Sequence, residues 1–159
     1  MKARYFWPTL IGIYGLDFVT KRMVVNSISP AYVPHRVIGD YVRFTLAYNR
    51  DAAMGLSLGG YSRAGFAVTA AVILVVLGVL YHRTAANDRF SALALAMVAG
   101  GALGNLTDRL MSSRGVVDFI DVGIGNARFY TFNVADSAVT CGALLLAILS
   151  LRGSKQGGA

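Results

Sequence analysis

The chain has 159 residues and a formal net charge of +7; 55% of it is hydrophobic and only 14% is charged. A soluble domain of this size carries about 25% charge, and the mean hydropathy is +0.56, which excludes an ordinary water-soluble globule and predicts a membrane protein. The fifteen Lys and Arg stand singly between apolar runs instead of gathering on one face, which argues against nucleic acid and for membrane lipid headgroups as partners.

Met1 to Arg4 is short and basic, and Tyr5 to Val19 is apolar, which is how a secretory signal begins. No small-x-small cleavage site follows, and the run continues through Asp17, Lys21 and Arg22, so we read a retained first transmembrane helix at about 7–25. Asp17 and Lys21 are spaced i, i+4 and can pair on one face, which lowers the cost of placing either near lipid. Residues 26–63 form a β-rich segment. Pro30 and Pro34 break any helix, and Tyr41 to Tyr48 alternates strictly, with Val42, Phe44, Leu46 and Tyr48 on one face. Asn49 to Asp51 reads as a turn, and Ala52 to Leu58 as a short apolar stretch lying along the membrane.

Ala64 to Tyr81 holds no charge over 18 positions, enough at 1.5 Å per residue to span about 27 Å of a ~30 Å hydrocarbon core. It predicts a second helix at about 64–81. His82 falls in a polar loop with no ligand partners nearby, and a third apolar run predicts a helix at about 90–108. In that run Ala96, Gly100 and Gly104 recur every four residues and form a small-residue stripe suited to close helix contact. A second β-rich segment at about 112–131 contains Val116 to Val122 and Arg128 to Phe132, joined by Gly123 to Asn126 as a hairpin, in which Asp121 reads as a solvated turn residue. The fourth helix is expected at about 132–151, with Asn133, Asp136 and Thr140 at its start and Cys141 as a small buried hydrophobe.

Alternating crossings place the end of the first helix, the end of the third and the start of the fourth on one membrane face, together with both β-rich segments. Asp17, Asp108, Asp118 and Asp136 therefore share that face, and only Asp88 lies opposite. An Asp facing lipid at full depth costs about 2.5 to 3.5 kcal/mol, so these acids should face one another and the nearby Lys21 and Arg109. Two carboxylates held close share one proton near neutral pH, and such a pair can activate a water while polarising a carbonyl. No His lies near a Ser or Cys, no HExxH occurs, and two distant histidines with one Cys do not make a zinc site, so neither metal nor cofactor is expected. A small transporter or proton relay built on intramembrane Asp residues is the alternative; it predicts acids spread through the membrane and a helix broken near its middle.

Five blocks then carry a resemblance: Asp17-x-x-Thr20-Lys21, Asn49-x-x-Ala52-Ala53, Gly100-Gly101-Ala102-x-Gly104-Asn105-x-x-Asp108-Arg109, Val116-Val117-Asp118-Phe119 and Phe132-Asn133-x-Ala135-Asp136-Ser137. In order and spacing the chain resembles bacterial lipoprotein signal peptidase, also called signal peptidase II. The resemblance implies one membrane domain over residues 1–159, a four-transmembrane-helix bundle with an extracytoplasmic β-rich cradle on the membrane surface. It implies a monomeric aspartic endopeptidase of the bacterial inner membrane, with cytoplasmic termini and its site on the periplasmic side. The substrate would be a prolipoprotein, cut on the amino side of a diacylglyceryl-modified Cys. Asp118 and Asp136 would be the catalytic pair, with Asn49, Asn105, Asp108, Arg109 and Asn133 positioning substrate and pair, and Asp17 and Lys21 bracing them. The chain departs from the family pattern at Phe18, Asp51 and Met54. Orientation rests on the resemblance alone, because six basic residues flank each side of the expected crossings and give the positive-inside rule no bias.

Overall fold

The computed structural model describes residues 1–50 and 62–156. Asp51, Met54 and the expected surface stretch 52–58 lie outside the described residues. The described residues form four helices: α1 (Ala3–Ser27), α2 (Ser62–Arg83), α3 (Arg89–Met111) and α4 (Val134–Gln156). Between them stand four strands, β1 (His35–Ile38), β2 (Val42–Asn49), β3 (Val116–Ile124) and β4 (Ala127–Arg128), paired antiparallel in the order β1-β2-β3-β4. The molecule is thus mostly helical with one small sheet. Among the described residues three helices are long and apolar enough to cross a membrane, over Ala64–Arg83, Arg89–Met111 and Val134–Arg152. Helix α1 is 25 residues long but carries Asp17, Lys21 and Arg22 in its C-terminal half.

Helix α3 is the axis, packed against α1, α2 and α4, and its glycines make this possible. A Cβ on Gly100 would sit 3.0 Å from the Leu10 carbonyl oxygen and 3.2 Å from Ile13 of α1, whereas one on Gly101 would collide with the Ala135 carbonyl oxygen of α4. The glycines of the expected stripe, Gly100 and Gly104, therefore face α1, and Gly101, which lies outside that stripe, faces α4. Gly100 admits α1, Gly101 admits α4, and Gly104 leaves room for the Asp17 carboxylate. With lipid as apolar as the side chains, such backbone approach and the dispersion contacts it allows supply much of the helix association.

The expected strand over Tyr41 to Tyr48 forms as β2, and its Leu46 is buried with Val24 of α1 and with Val117 and Phe119 of β3; Phe44 and Tyr48 pack against the same cluster. The sheet is thereby seated on the C-terminal end of α1. Strand β1, exposed along its length, had no alternating apolar signal to announce it. A register shift between Phe44 and Ala47 sets Ala47 opposite Asp118 and Asn49 opposite Val116, so that β2 delivers Asn49 beside Asp118.

Four expectations need correction. Asp121 is not a solvated turn residue: it lies within β3, is 7% exposed, and pairs with Arg128 at 2.6 Å. The hairpin turn contains only Gly125 and Asn126, with Gly125 at φ +55, so β3 runs two residues further than expected and β4 is confined to Ala127–Arg128. Cys141 is exposed on α4, not buried; in a membrane helix an apolar environment need not be protein. His82 is exposed, as expected, but belongs to the last turn of α2 and not to a loop. There Lys2 Nζ donates to the carbonyls of Tyr81 and Thr84, both at 2.6 Å, and satisfies acceptors that a helix end leaves open.

Candidate active site

At one end of the bundle the chain brings together Asp17, Asp108, Asp118 and Asp136. The first group is a brace between α1 and α3. Lys21 Nζ lies 2.8 Å from Asp17 and 2.9 Å from Asp108, and donates to Asn105 Oδ1 at 2.9 Å. Asp17 also accepts from the Ala135 backbone N–H of α4 at 2.9 Å, and Asp108 from the Val117 N–H of β3 at 3.1 Å. One lysine therefore balances two carboxylates while those carboxylates hold the start of α4 and the start of β3. Asp17 is fully buried and Lys21 is 3% exposed, a placement that charged groups accept only when paired and hydrogen-bonded.

The second group is Asp118 and Asp136. Phe132 forms an isolated bridge to Ile120, which brings the residue entering α4 alongside β3. Asn133, next in sequence, caps α4: its Oδ1 accepts from the Asp136 N–H at 2.9 Å, while Asp136 Oδ2 accepts from the Asn133 N–H at 3.2 Å. This reciprocal pair is a capping box, and it orients Asp136 at the positive end of the helix dipole. The Asn133 amide also donates to Asp118 Oδ1 at 2.7 Å, Asn49 donates to Asp118 Oδ2 at 3.1 Å, and Asn105 donates to Asp136 Oδ1 at 2.7 Å. Three asparagines from β2, α3 and the α4 cap thus hold the two carboxyls.

Among the described residues neither Asp118 nor Asp136 has an ion-pair partner within 4 Å. Burial pushes the Asp118 carboxyl up from 3.8 to about 7, and the charge of Asp136 pushes in the same direction against the bonds from Asn49 and Asn133. Both acids line a cavity of about 450 Å³ with Asn49, Asn105 and Arg109, walled by Tyr48, Phe129, Tyr130, Thr131, Val139 and Thr140. Arg109 donates to the Asn105 carbonyl at 3.2 Å and stands 5.9 Å from the Phe66 ring centroid. No group of three or more His, Cys, Asp or Glu suited to a metal occurs among the described residues.

All nine residues singled out from the sequence therefore gather at this end, in two connected groups. Asp17, Lys21 and Asp108 form the brace; Asn49, Asn105, Arg109, Asp118, Asn133 and Asp136 form or adjoin the cavity wall. The aromatic wall at Phe129 and Tyr130 went unread. Val139 and Thr140 were within reach, because they lie three and four residues beyond Asp136 and so share its helix face.

Comparison with known proteins gives the family. The sequence pattern of the family Signal peptidase (SPase) II matches residues 9–152. The chain is similar to the lipoprotein signal peptidase of Pseudomonas syringae pv. tomato, with 42% identity over 98% of this chain and 90% of that protein. It is also similar to the lipoprotein signal peptidase of Pseudomonas putida, with 40% identity over 98% of this chain and 91% of that one. A solved bacterial membrane enzyme superposes with a TM-score of 0.83 at 30% identity, covering 93% of this chain and 88% of its own. The chain belongs to the signal peptidase II family of bacterial membrane peptidases.

Proposed function

We propose that the chain removes signal peptides from prolipoproteins as an aspartic endopeptidase, with Asp118 and Asp136 as its catalytic pair. Family membership supports the peptidase activity and the prolipoprotein substrate. The observation that carries the aspartic reading is that the buried Asp118 and the half-buried Asp136 share one cavity and, among the described residues, are held by neutral amides alone, with burial pushing the Asp118 carboxyl up to about 7. In the proposed reaction one carboxylate takes a proton from water as the water oxygen attacks the scissile carbonyl carbon. The protonated partner donates to the carbonyl oxygen, and collapse of the tetrahedral intermediate expels the amine, which takes up a proton. Raised as it is, Asp118 is the member that brings the proton. Arg109, Asn49 and Asn105 line the cavity as donors for the substrate backbone and the developing oxyanion.

The same reading makes residues 1–159 one integral membrane domain of four crossings, α1 included, whose buried Asp17–Lys21 pair lets it enter the bilayer. The sheet then rests on the extracytoplasmic surface of the inner membrane, the enzyme works as a monomer among lipids, and cleavage falls on the amino side of a diacylglyceryl-modified Cys. The transporter alternative finds no support: the acids collect at one end of the bundle, and α2, α3 and α4 run unbroken.

The test is Asp118→Asn and Asp136→Asn, each assayed on a lipidated precursor in detergent or liposomes. Each should lower kcat at least ~100-fold, the scale of a lost general acid or base, with membrane insertion retained. Full activity in either variant would sink the assignment.

A further inference from the structure

Asp121 is a buried acid that the proposed hydrolysis does not use, and its partner Arg128 stands immediately before the aromatic wall of the cavity. The Arg128 guanidinium donates from Nε to Asp121 Oδ1 at 2.6 Å, from one terminal nitrogen to the Asp121 carbonyl at 3.1 Å, and from the other to the Asp40 carbonyl at 2.8 Å. Thr45 of β2 donates its hydroxyl to Asp121 Oδ2 at 3.3 Å. Asp40 is itself paired with Arg43 and lies 3.6 Å from Arg36. One side chain of β4 is thus tied to β3 and to the connection between β1 and β2. Planar guanidinium geometry suits such multiple donation, and an ammonium cannot reproduce it.

The wall needs that anchor. Strand β4 has two residues, paired only as Gly123 with Arg128 and Ile124 with Ala127. Phe129 donates to the Val122 carbonyl at 2.8 Å, and the next backbone bond to β3 comes at Phe132, which donates to the Ile120 carbonyl at 3.0 Å. Between them Phe129 and Tyr130 are 57% and 61% exposed and line the cavity with Thr131. Large apolar rings left open beside a pair of carboxyls form a binding surface, and their position is set by the residue before them.

Building on the peptidase reading above, we propose that the Asp121–Arg128 pair is a positioning device: it fixes the 129–131 wall, and that wall sets how tightly the apolar part of the substrate is held. No bond joins 129–131 to Asp118 or Asp136 among the described residues, so the device acts on binding and leaves the chemical step alone. A structural role without this function would lower stability and all kinetic parameters together. A role in substrate holding separates KM from kcat.

The experiment compares the full-length enzyme with Arg128→Gln and Arg128→Lys, using a diacylglyceryl-modified precursor peptide, together with hydrogen exchange of the backbone amides. Gln at 128 should raise KM about tenfold with kcat within about twofold of wild type, and should speed exchange at 129–132 but not at 133–136. Lys at 128 should fall between the two, because it keeps the charge pair and loses the second tie. Unchanged exchange at 129–132, faster exchange with unchanged KM, or a fall in kcat at constant KM would each overturn the proposal. If the Gln variant does not accumulate, the same criteria applied to the Lys variant decide. A wild-type enzyme that fails to cleave the precursor would overturn the peptidase reading instead, and the exchange comparison would still judge the anchor.

Discussion

The two acid groups at the end of the bundle use the same residue type for opposite ends. In the brace, Asp17 and Asp108 share Lys21, and backbone N–H groups fill further acceptor positions. In the cavity, among the described residues, Asp118 and Asp136 receive only amide donors, from Asn49, Asn105, Asn133 and the cap backbone. An amide orients a carboxyl without neutralising it, whereas an ammonium does both. The first group therefore holds charge at low cost and joins elements, and the second leaves Asp118 with its carboxyl pushed up by burial beside an open cavity. The contrast separates scaffold from proposed chemistry more sharply than burial does, because members of both groups are buried.

The largest effect that would test the contrast is on the brace. Lys21→Met strands Asp17 and Asp108 without a counter-charge, and should cost about 3 to 5 kcal/mol of stability, the scale of breaking a buried ion pair. Chemical unfolding in detergent micelles would measure it. Adding Asp17→Asn and Asp108→Asn to the same variant should recover much of the loss. If Lys21→Met proves neutral, the brace is not balanced by that lysine and the contrast collapses.

Removing an acid from the cavity should do the reverse. Asp118 binds its proton more tightly in the folded chain than in the unfolded one, so between about pH 4 and pH 7 the folded state holds the extra proton and stability falls as pH rises. The rise from 3.8 to about 7 corresponds to at most about 4 kcal/mol. Asp118→Asn should therefore be more stable than wild type at pH 8, by up to that amount, and equal to it near pH 4. Unfolding curves at the two pH values check this, and a variant less stable at pH 8 would show that Asp118 works as scaffold.

How far the sequence disclosed this contrast depends on the distance over which each partner sits. The Asp17 to Lys21 pair is local, one helical turn apart, and was legible; so were the Gly100 and Gly104 stripe and the β2 alternation, all set by short-range periodicity. The convergence of acids followed from counting crossings, and the roles proposed for them come from the family blocks. Asp121 was misread because its partner Arg128 lies across a hairpin whose turn is two residues and not four. A carboxylate two residues before a glycine-rich turn looks solvated until that register is known. Cys141 was misread for a different reason, since apolar sequence marks apolar surroundings and does not say whether protein or lipid provides them. Nor could periodicity disclose which amide meets which carboxyl, because Asn49 reaches Asp118 through a β2 register shift.

That register shift provides the smallest and most discriminating effect. The Asn49 amide favours the charged form of Asp118, against the burial and the Asp136 charge that favour the neutral form. Asn49→Ala removes one such donor and leaves the Asn133 bond in place, so Asp118 should keep its proton to still higher pH. With a singly protonated pair as the working form, activity in wild type should fall as pH rises through about 7. The variant's alkaline limb should lie higher, at a reduced maximum rate. A pH profile of kcat/KM on a lipidated precursor resolves both. A limb that stays fixed would assign Asn49 to substrate contact alone, and one that moves to lower pH would reverse the proposed role of the amides in the cavity. Charge balance by Lys21 and charge orientation by asparagine would then no longer distinguish the two acid groups.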